Sequence, residues 1–242
     1  MGKEHKMSQR IKNPLRELQS ISRDVLQIGY KKLPSNLKRV CFISYYQRAQ
    51  LNERSAYSVL RTAELAKRLG YDIYALYNTT TEEYIQYLKH FVTRTSEFLW
   101  IYANALPIGS QEETGIPTKD GIEPPVLLYD ILNCKKSEKI LLIVDGIERK
   151  NNWHFRDNAL KGEKVLALAS YPDPEQDELL LEQTDENQEN IFAFQLTKYF
   201  LQDTSVTAQV LATKLDEVMR DVGQRVWIES NPSSFASETG LI

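Results

Sequence analysis

Residues 38–77 read KRVCFISYYQRAQLNERSAYSVLRTAELAKRLGYDIYALY and contain one complete strand–helix–strand unit. The apolar run Val40–Ile43 predicts a buried strand, because a strand covered on both faces does not alternate with polar residues. Residues 53–69 keep apolar side chains at helical spacing and precede Gly70, which is typical of a helix C-terminus. The next apolar run, 71–77, is a second strand, and the unit predicts two neighbouring parallel strands joined by a helix.

The same alternation continues along the chain. Thr80 with Glu83 forms a capping-box signature ahead of a helix, and Thr207 is the expected N-cap of the last helix. Further strands are predicted at 98–102, 139–145, 165–169 and 224–229, and further helices at 80–92, 126–132, 190–201 and 207–222. We therefore expect an α/β fold, a three-layer sandwich around a mostly parallel six-stranded sheet.

The chain divides into three segments in this interpretation. Residues 1–37 form a polar leader with a short amphipathic helix, whose apolar spacing runs from Leu15 to Ile28. Residues 38–230 form the domain, and 231–242 form a flexible, Ser-rich tail. Residues 103–125 and 170–189 are expected to be long loops, and the second is strongly acidic.

Composition excludes several classes of function. The net charge of −3 comes from 30 basic and 33 acidic residues mixed along the chain, so no basic surface that tracks nucleic acid is expected. No apolar stretch approaches the roughly 20 residues of a membrane helix, which predicts a cytoplasmic protein without a membrane span. Cys41 and Cys134 form neither a disulfide framework nor a metal motif, and His5, His90 and His154 are scattered, so no metal or cofactor is expected.

Four stretches, taken in order, resemble one superfamily. They are KRVCFISYYQRAQ (38–50), LAKRLGYDIYALYNTTTEEYIQYL (65–88), IVDGIERKNN (143–152) and ENIFAFQLTKYFLQDTSVTAQVLATKLDEVM (189–219). This series is similar to the catalytic domain of caspases, metacaspases and paracaspases, the caspase-hemoglobinase fold, and the last two stretches look closest to paracaspases. The resemblance extends from Lys38 to the tail.

The resemblance implies that both catalytic residues are replaced. In the superfamily, strand three leads into a Gly-His-Gly turn and strand four into an Asp-x-Cys stretch. In LWIYANALP, Ala105 stands at the histidine position, and Asn104 and Leu106 replace the glycines; in LLIVDGIERK, Ile147 stands at the cysteine position. Neither side chain can attack a carbonyl or transfer a proton, so the resemblance implies a pseudoprotease.

The resemblance also implies a vestigial pocket and a partner surface. Asp145 matches an acid of the pocket that binds a basic side chain, Ser58 falls at a second acid position, and Asp177 and Glu178 are candidates for a third. The closing strand, with Gln224, Val226, Trp227 and Ile228, matches the edge through which caspase domains pair. We expect a regulatory or scaffold protein in signalling, acting as a homodimer or as a heterodimer with an active caspase-like protein.

Two alternatives remain open at this point. A cysteine-type hydrolase could use a displaced active site built on Cys134 or His154, since Lys135 and Lys136 beside Cys134 would favour its thiolate. A small-molecule-binding α/β domain is the other alternative. The turns SYYQRAQ and NTTTEE after the first two strands lack the glycines of nucleotide-binding loops, which argues against it.

Overall fold

The computed structural model describes residues 14–26, 33–46, 52–107, 114–123, 130–134, 136–146, 164–172 and 192–237. The strands in these ranges are β1 (Asp24–Leu26), β2 (Leu37–Tyr45), β3 (Asp72–Tyr77), β4 (Thr95–Pro107), β5 (Thr114–Pro117), β6 (Ile122–Glu123), β7 (Lys139–Gly146), β8 (Lys164–Pro172) and β9 (Gln224–Asn231). The helices are α1 (Pro14–Ile21), α2 (Asn52–Arg68), α3 (Thr81–Arg94), α4 (Phe192–Gln202) and α5 (Ala208–Arg220), with helical residues at 130–132 and a 3₁₀ helix at Ser233–Ser237.

The main sheet has the strand order β1-β3-β2-β4-β7-β8-β9. Its pairs are parallel except the last, in which β9 runs antiparallel to β8. The predicted α/β sandwich with a mostly parallel sheet is confirmed, and the six predicted strands correspond to β2, β3, β4, β7, β8 and β9. The carboxyl ends of the parallel strands share one edge of the sheet, where open α/β folds place their binding sites.

Helices cover both faces of the sheet, as a three-layer sandwich requires. Cys41, Ile43 and Trp100 belong to a core shared with α2, α4 and α5. Val40 and Phe42, which alternate with Cys41 and Ile43 along β2, pack on the opposite face against α3. The continuous apolar runs seen in the sequence are therefore strands that are buried on both faces.

The helix ends that were predicted from capping residues are confirmed. The Thr80 hydroxyl accepts the Glu83 N–H while the Glu83 carboxylate accepts the Thr80 N–H, which completes the capping box of α3. Thr207 caps α5 by accepting the Val210 N–H. Gly70, with φ +78°, follows α2, and the Tyr71 N–H bonds to the Ala66 carbonyl at 3.0 Å, a Schellman-type ending.

The predicted extent of the first helix is wrong. The apolar spacing indicated a helix as far as Ile28, but α1 ends at Ile21 and β1 follows at residues 24–26. The Arg23 N–H donates to the Ile73 carbonyl and β1 pairs with β3. Hydrogen bonding to the open edge of β3 therefore outweighs the helix-forming tendency of the apolar spacing at these residues. Leu18 of α1 is fully buried in the core.

Two segments that were predicted to lack regular structure contain some. β4 continues through residues 103–107, and β5 pairs with its end at Leu106 and Pro107, so part of the predicted loop at 103–125 is a small antiparallel extension. Within the predicted tail, the 3₁₀ helix buries Phe235 to 2% exposure. The ammonium groups of Lys139 and Lys164 lie 5.9 and 5.6 Å from its ring centroid. The three-segment division of the chain remains a prediction.

Candidate functional site

One row of residues crosses the carboxyl edge of the sheet. Register places Tyr77 beside Tyr45, Asn104 beside Asp145, and Asp145 beside Ser170. β2 and β4 are adjacent with Ser44 beside Ala103, which puts Tyr45 next to Asn104 and closes the row across five strands. The row therefore places Tyr77, Tyr45, Asn104, Asp145 and Ser170 at the edge where this class of fold binds ligands.

Asp145 is held by hydroxyl groups on both neighbouring strands. The Tyr102 hydroxyl donates to its Oδ2 at 3.0 Å and the Ser170 hydroxyl donates to its Oδ1 at 3.1 Å. Tyr102 and Ser170 are buried, whereas Asp145 is half-buried at the end of the apolar run of β7. An ionised carboxylate accepts hydrogen bonds only, so the two donors fix its orientation and leave it as a binding group for a cation.

The positions assigned to the lost dyad lie at the ends of adjoining strands. Ala105 of β4 pairs with Gly146 of β7. Ile147 directly follows Gly146 in sequence and lies outside the described residues. Residues 104–106 continue β4 as extended strand, paired first with β7 and then with β5.

Of the remaining predicted pocket residues, only Ser58 lies within the described part of the chain. Ser58 is 1% exposed on α2, and among the described residues Asp145 bonds to Tyr102 and Ser170 and not to Ser58. Asp177 and Glu178 lie outside the described residues. Their membership of a pocket stays a prediction.

The sequence interpretation missed Tyr45 and Tyr77. Their ring centroids are 5.6 Å apart at the carboxyl ends of β2 and β3. Burial, with a smaller contribution from Tyr77, raises the pKa of Tyr45 to about 12, so its phenol is neutral at physiological pH. The sequence feature that could have identified them is their position, because each tyrosine is the last residue of a buried strand and therefore lies at this edge.

The cysteine and histidine alternatives are only partly covered by the structure. Cys134 is exposed and precedes β7, near Lys136, which bonds to Val92 at the end of α3. Cys134 thus lies at the amino edge of the sheet, and Asp145 lies at the carboxyl edge. The six residue steps of β7 from Lys139 to Asp145 span about 20 Å, at roughly 3.3 Å per residue. Cys41 is buried inside β2, where burial raises the pKa of its thiol.

The histidines do not supply a partner for either cysteine within the described ranges. The His90 Nε2 lies 3.0 Å from the Pro34 carbonyl oxygen, and the ring contacts Phe91 edge to face. His5 and His154 lie outside the described residues. No cluster of His, Cys, Asp or Glu suited to a metal ion occurs in the part of the chain that the structure describes.

The predicted partner strand is the last strand of the sheet. β9 pairs with β8 on one side, with Val226 beside Ser170 and Ile228 beside Leu168. Val226 and Ile228 pack on one core and Trp227 on the other, and Gln224 is buried at the start of the strand.

Asp216 of α5 fastens this strand to the helix. Its Oδ1 accepts the Val226 N–H at 2.8 Å and the Arg225 Nε at 2.9 Å, and Arg220 and Arg225 both donate to Oδ2. Because the Val226 N–H points to Asp216 instead of β8, strand alternation turns the N–H groups of Ile228 and Ser230 to the same outer side.

Among the described helices, none combines the length and the apolar character that crossing a bilayer requires.

Comparison with known proteins gives the fold alone. No protein-family model matches the chain. No curated protein matches it. Among solved structures, the chain is similar to one described as "structure of pro-sf-caspase-1", with a TM-score of 0.55 and 12% sequence identity over 84% of this chain and 94% of that chain. The protein therefore has a caspase-like fold.

Proposed function

We propose that this protein is a catalytically inactive, caspase-like pseudoprotease of the cytoplasm that acts as a regulatory or scaffold protein through protein–protein contacts. The observation that carries the proposal is the pairing of Ala105 with Gly146, one residue before Ile147. This register supports the alignment of Ala105 and Ile147 with the histidine and cysteine of the superfamily. A methyl group and a branched alkyl group replace both halves of a coupled nucleophile and base.

The described residues offer no replacement dyad. Cys41 is enclosed in the core, and Cys134 is on the opposite edge of the sheet from Asp145. His90 contacts the Pro34 carbonyl oxygen. A cysteine hydrolase needs a thiolate and a base within hydrogen-bond reach of each other, which none of these three residues provides.

The carboxyl edge keeps the capacity to bind. Asp145 retains a carboxylate that is oriented by two hydroxyls, and Tyr45 and Tyr77 end strands of the same sheet edge two and three strands away. Such a group suits a cationic side chain of a partner protein. In this proposal Ser58, Asp177 and Glu178 complete a vestigial pocket that binds without cleaving.

The outer edge of β9 is the proposed contact surface. The N–H groups of Ile228 and Ser230 face away from β8, which gives another strand two donors for pairing. The outward N–H of Val226 already donates to Asp216, so the proposed pairing uses the later half of β9. The proposed assemblies are a homodimer and a heterodimer with an active caspase-like protein.

Light scattering after size-exclusion chromatography tests this surface, with the chain alone and mixed with an active caspase-like protein. Ser230→Pro removes the outward N–H, and Ser230→Ala is its matched control because both variants lose the hydroxyl that bonds to the Ser233 carbonyl. We expect dimer or mixed complex from the native chain and from Ser230→Ala, and its loss in Ser230→Pro. A monomer under every condition contradicts the partner surface.

A further inference from the structure

A surface groove lies between α2 and α4, on the outer side of these helices. Its volume is about 200 Å³, and its walls include Arg61, Glu64 and Arg68 from α2 with Phe194, Lys198 and Leu201 from α4. The guanidinium of Arg61 lies 5.8 Å from the Phe194 ring centroid, so the two helices are in direct contact there. Leu201 is 43% exposed, which leaves a large apolar side chain open at the groove.

The groove combines an apolar floor with excess positive charge. Arg61 Nη1 pairs with the Glu64 carboxylate at 2.8 Å, which neutralises the one acid of the groove. Arg68 and Lys198 are exposed, and within the described ranges no carboxylate forms an ion pair with either. Two cations therefore flank the Phe194 and Leu201 side chains.

The size of the groove favours anchoring side chains over a small molecule. Pockets that bind small ligands typically measure about 300–1,000 Å³ and enclose most of the ligand. At about 200 Å³, the groove takes one or two apolar side chains of a peptide whose acidic groups remain at the rim. The matching ligand is thus an acidic segment that also carries apolar side chains.

The chain itself contains such a segment. Residues 173–191 carry eight acids and no Lys, Arg or His, and they include the sequence DELLLE at 177–182. These residues lie outside the described part of the chain and join directly to α4 at Phe192. We propose that residues 177–182 dock in the groove between α2 and α4, with leucines on Phe194 and Leu201 and acids beside Arg68 and Lys198.

Chain length permits this contact. Ten residue steps separate Glu182 from Phe192, which span up to about 33 Å when extended. Phe194 and Leu201 are seven residues apart on α4, or about 10 Å along a helix. The groove is therefore within reach of the tether at Phe192, and the covalent connection raises the local concentration of the segment. The tether to Pro172 of β8 is shorter, since five residue steps to Asp177 span about 17 Å when extended. The proposed docking does not depend on the loss of the catalytic dyad, and it excludes a simultaneous place for Asp177 and Glu178 in the pocket beside Asp145.

A zero-length carbodiimide cross-link tests the contact in the native chain. The reagent joins a lysine amine to a carboxylate, and peptide mass spectrometry then identifies the partners of Lys198. Exposed Lys214 of α5 is the internal control. Mixing isotope-labelled and unlabelled chains separates links within one chain from links between two copies. We expect Lys198 to couple to residues 177–182 of its own chain, in clear excess over Lys214.

Two sets of variants make the test decisive. Replacing Leu179, Leu180 and Leu181 together by Ser keeps every acid and is expected to lower the cross-link about tenfold, which corresponds to about 1.4 kcal/mol of docking free energy. Arg68→Ser is expected to lower it as well, and Arg94→Ser on α3 is its matched control. The proposal is overturned if Lys198 couples no better than Lys214, if the links join two copies, or if the serine variant cross-links like the native chain.

Discussion

Asp216 joins α5 to the outer strand of the sheet, and Asp216→Asn tests how firmly that strand is held. The carboxylate is 16% exposed and accepts hydrogen bonds from Arg225, Arg220 and the Val226 N–H. Asn keeps one oxygen for Val226 but removes the charge. Hydrogen bonds to charged groups contribute about 1.5–3 kcal/mol against about 0.5–1.5 for neutral pairs, and Arg220 is largely exposed, so the free energy of unfolding should fall by about 1–3 kcal/mol at pH 7.

The loss should depend on pH in a defined direction. Burial alone would raise the pKa of Asp216, but the hydrogen bonds from Arg225, Val226 and Arg220 outweigh it and hold the pKa below its usual range. A carboxyl whose pKa is lowered by folding stabilises the protein fully above its unfolded pKa of about 3.9. That stabilisation is lost as the pH falls through the folded pKa, so the difference between native and Asp216→Asn should narrow below about pH 4.

Urea unfolding followed by circular dichroism at pH 7, 5 and 3 measures both effects. Asp221→Asn is the matched control, since Asp221 is an exposed carboxylate at the end of the same helix. It should leave stability within about 0.5 kcal/mol of the native chain. The reasoning is refuted if Asp216→Asn is as stable as the native chain at pH 7, or if its deficit is unchanged in acid.

Further substitutions at four positions test other parts of the structure. Tyr102→Phe and Ser170→Ala each remove one donor to Asp145 and should each lower the free energy of unfolding by about 1–3 kcal/mol, with non-additive losses in the double variant; additive losses would show that the hydroxyls do not share one carboxylate. Phe235→Ala should cost about 3–5 kcal/mol because the ring is buried, and a loss below about 1 kcal/mol in a thermal melt would mean that the C-terminal 3₁₀ helix does not pack. Gly70→Ala meets no atom within 4 Å, so its expected cost of about 1–2 kcal/mol comes from the left-handed φ of +78°, and Gly70→Asn should cost less; equal stability of all three proteins would contradict this origin.

The sheet and its helices were predictable because local sequence decides them. The apolar runs at residues 40–43 and 139–145 are strands, and Gly70, Thr80 and Thr207 end or begin helices as predicted. These signals act within a few residues, and burial of the strands on both faces reinforces them.

Features that depend on distant pairing were missed. The strand at 24–26 exists because β3 offers an open edge, and no local pattern at Val25 distinguishes it from a helix. β4 runs past Tyr102 because β7 and β5 supply partners for residues 103–107. The bonds from Tyr102 and Ser170 to Asp145 join three strands, so they follow from register and not from spacing.

Peptide hydrolysis is the measurement that tests the central claim most directly. Purified chain is incubated alone and at high concentration with fluorogenic peptides that carry basic or acidic P1 residues, and an active caspase-like protease serves as the positive control. Loss of the dyad at Ala105 and Ile147 predicts no turnover above buffer, also in Cys134→Ala and His154→Ala variants. Turnover that persists through purification and disappears in either variant would contradict the pseudoprotease assignment and show a displaced active site.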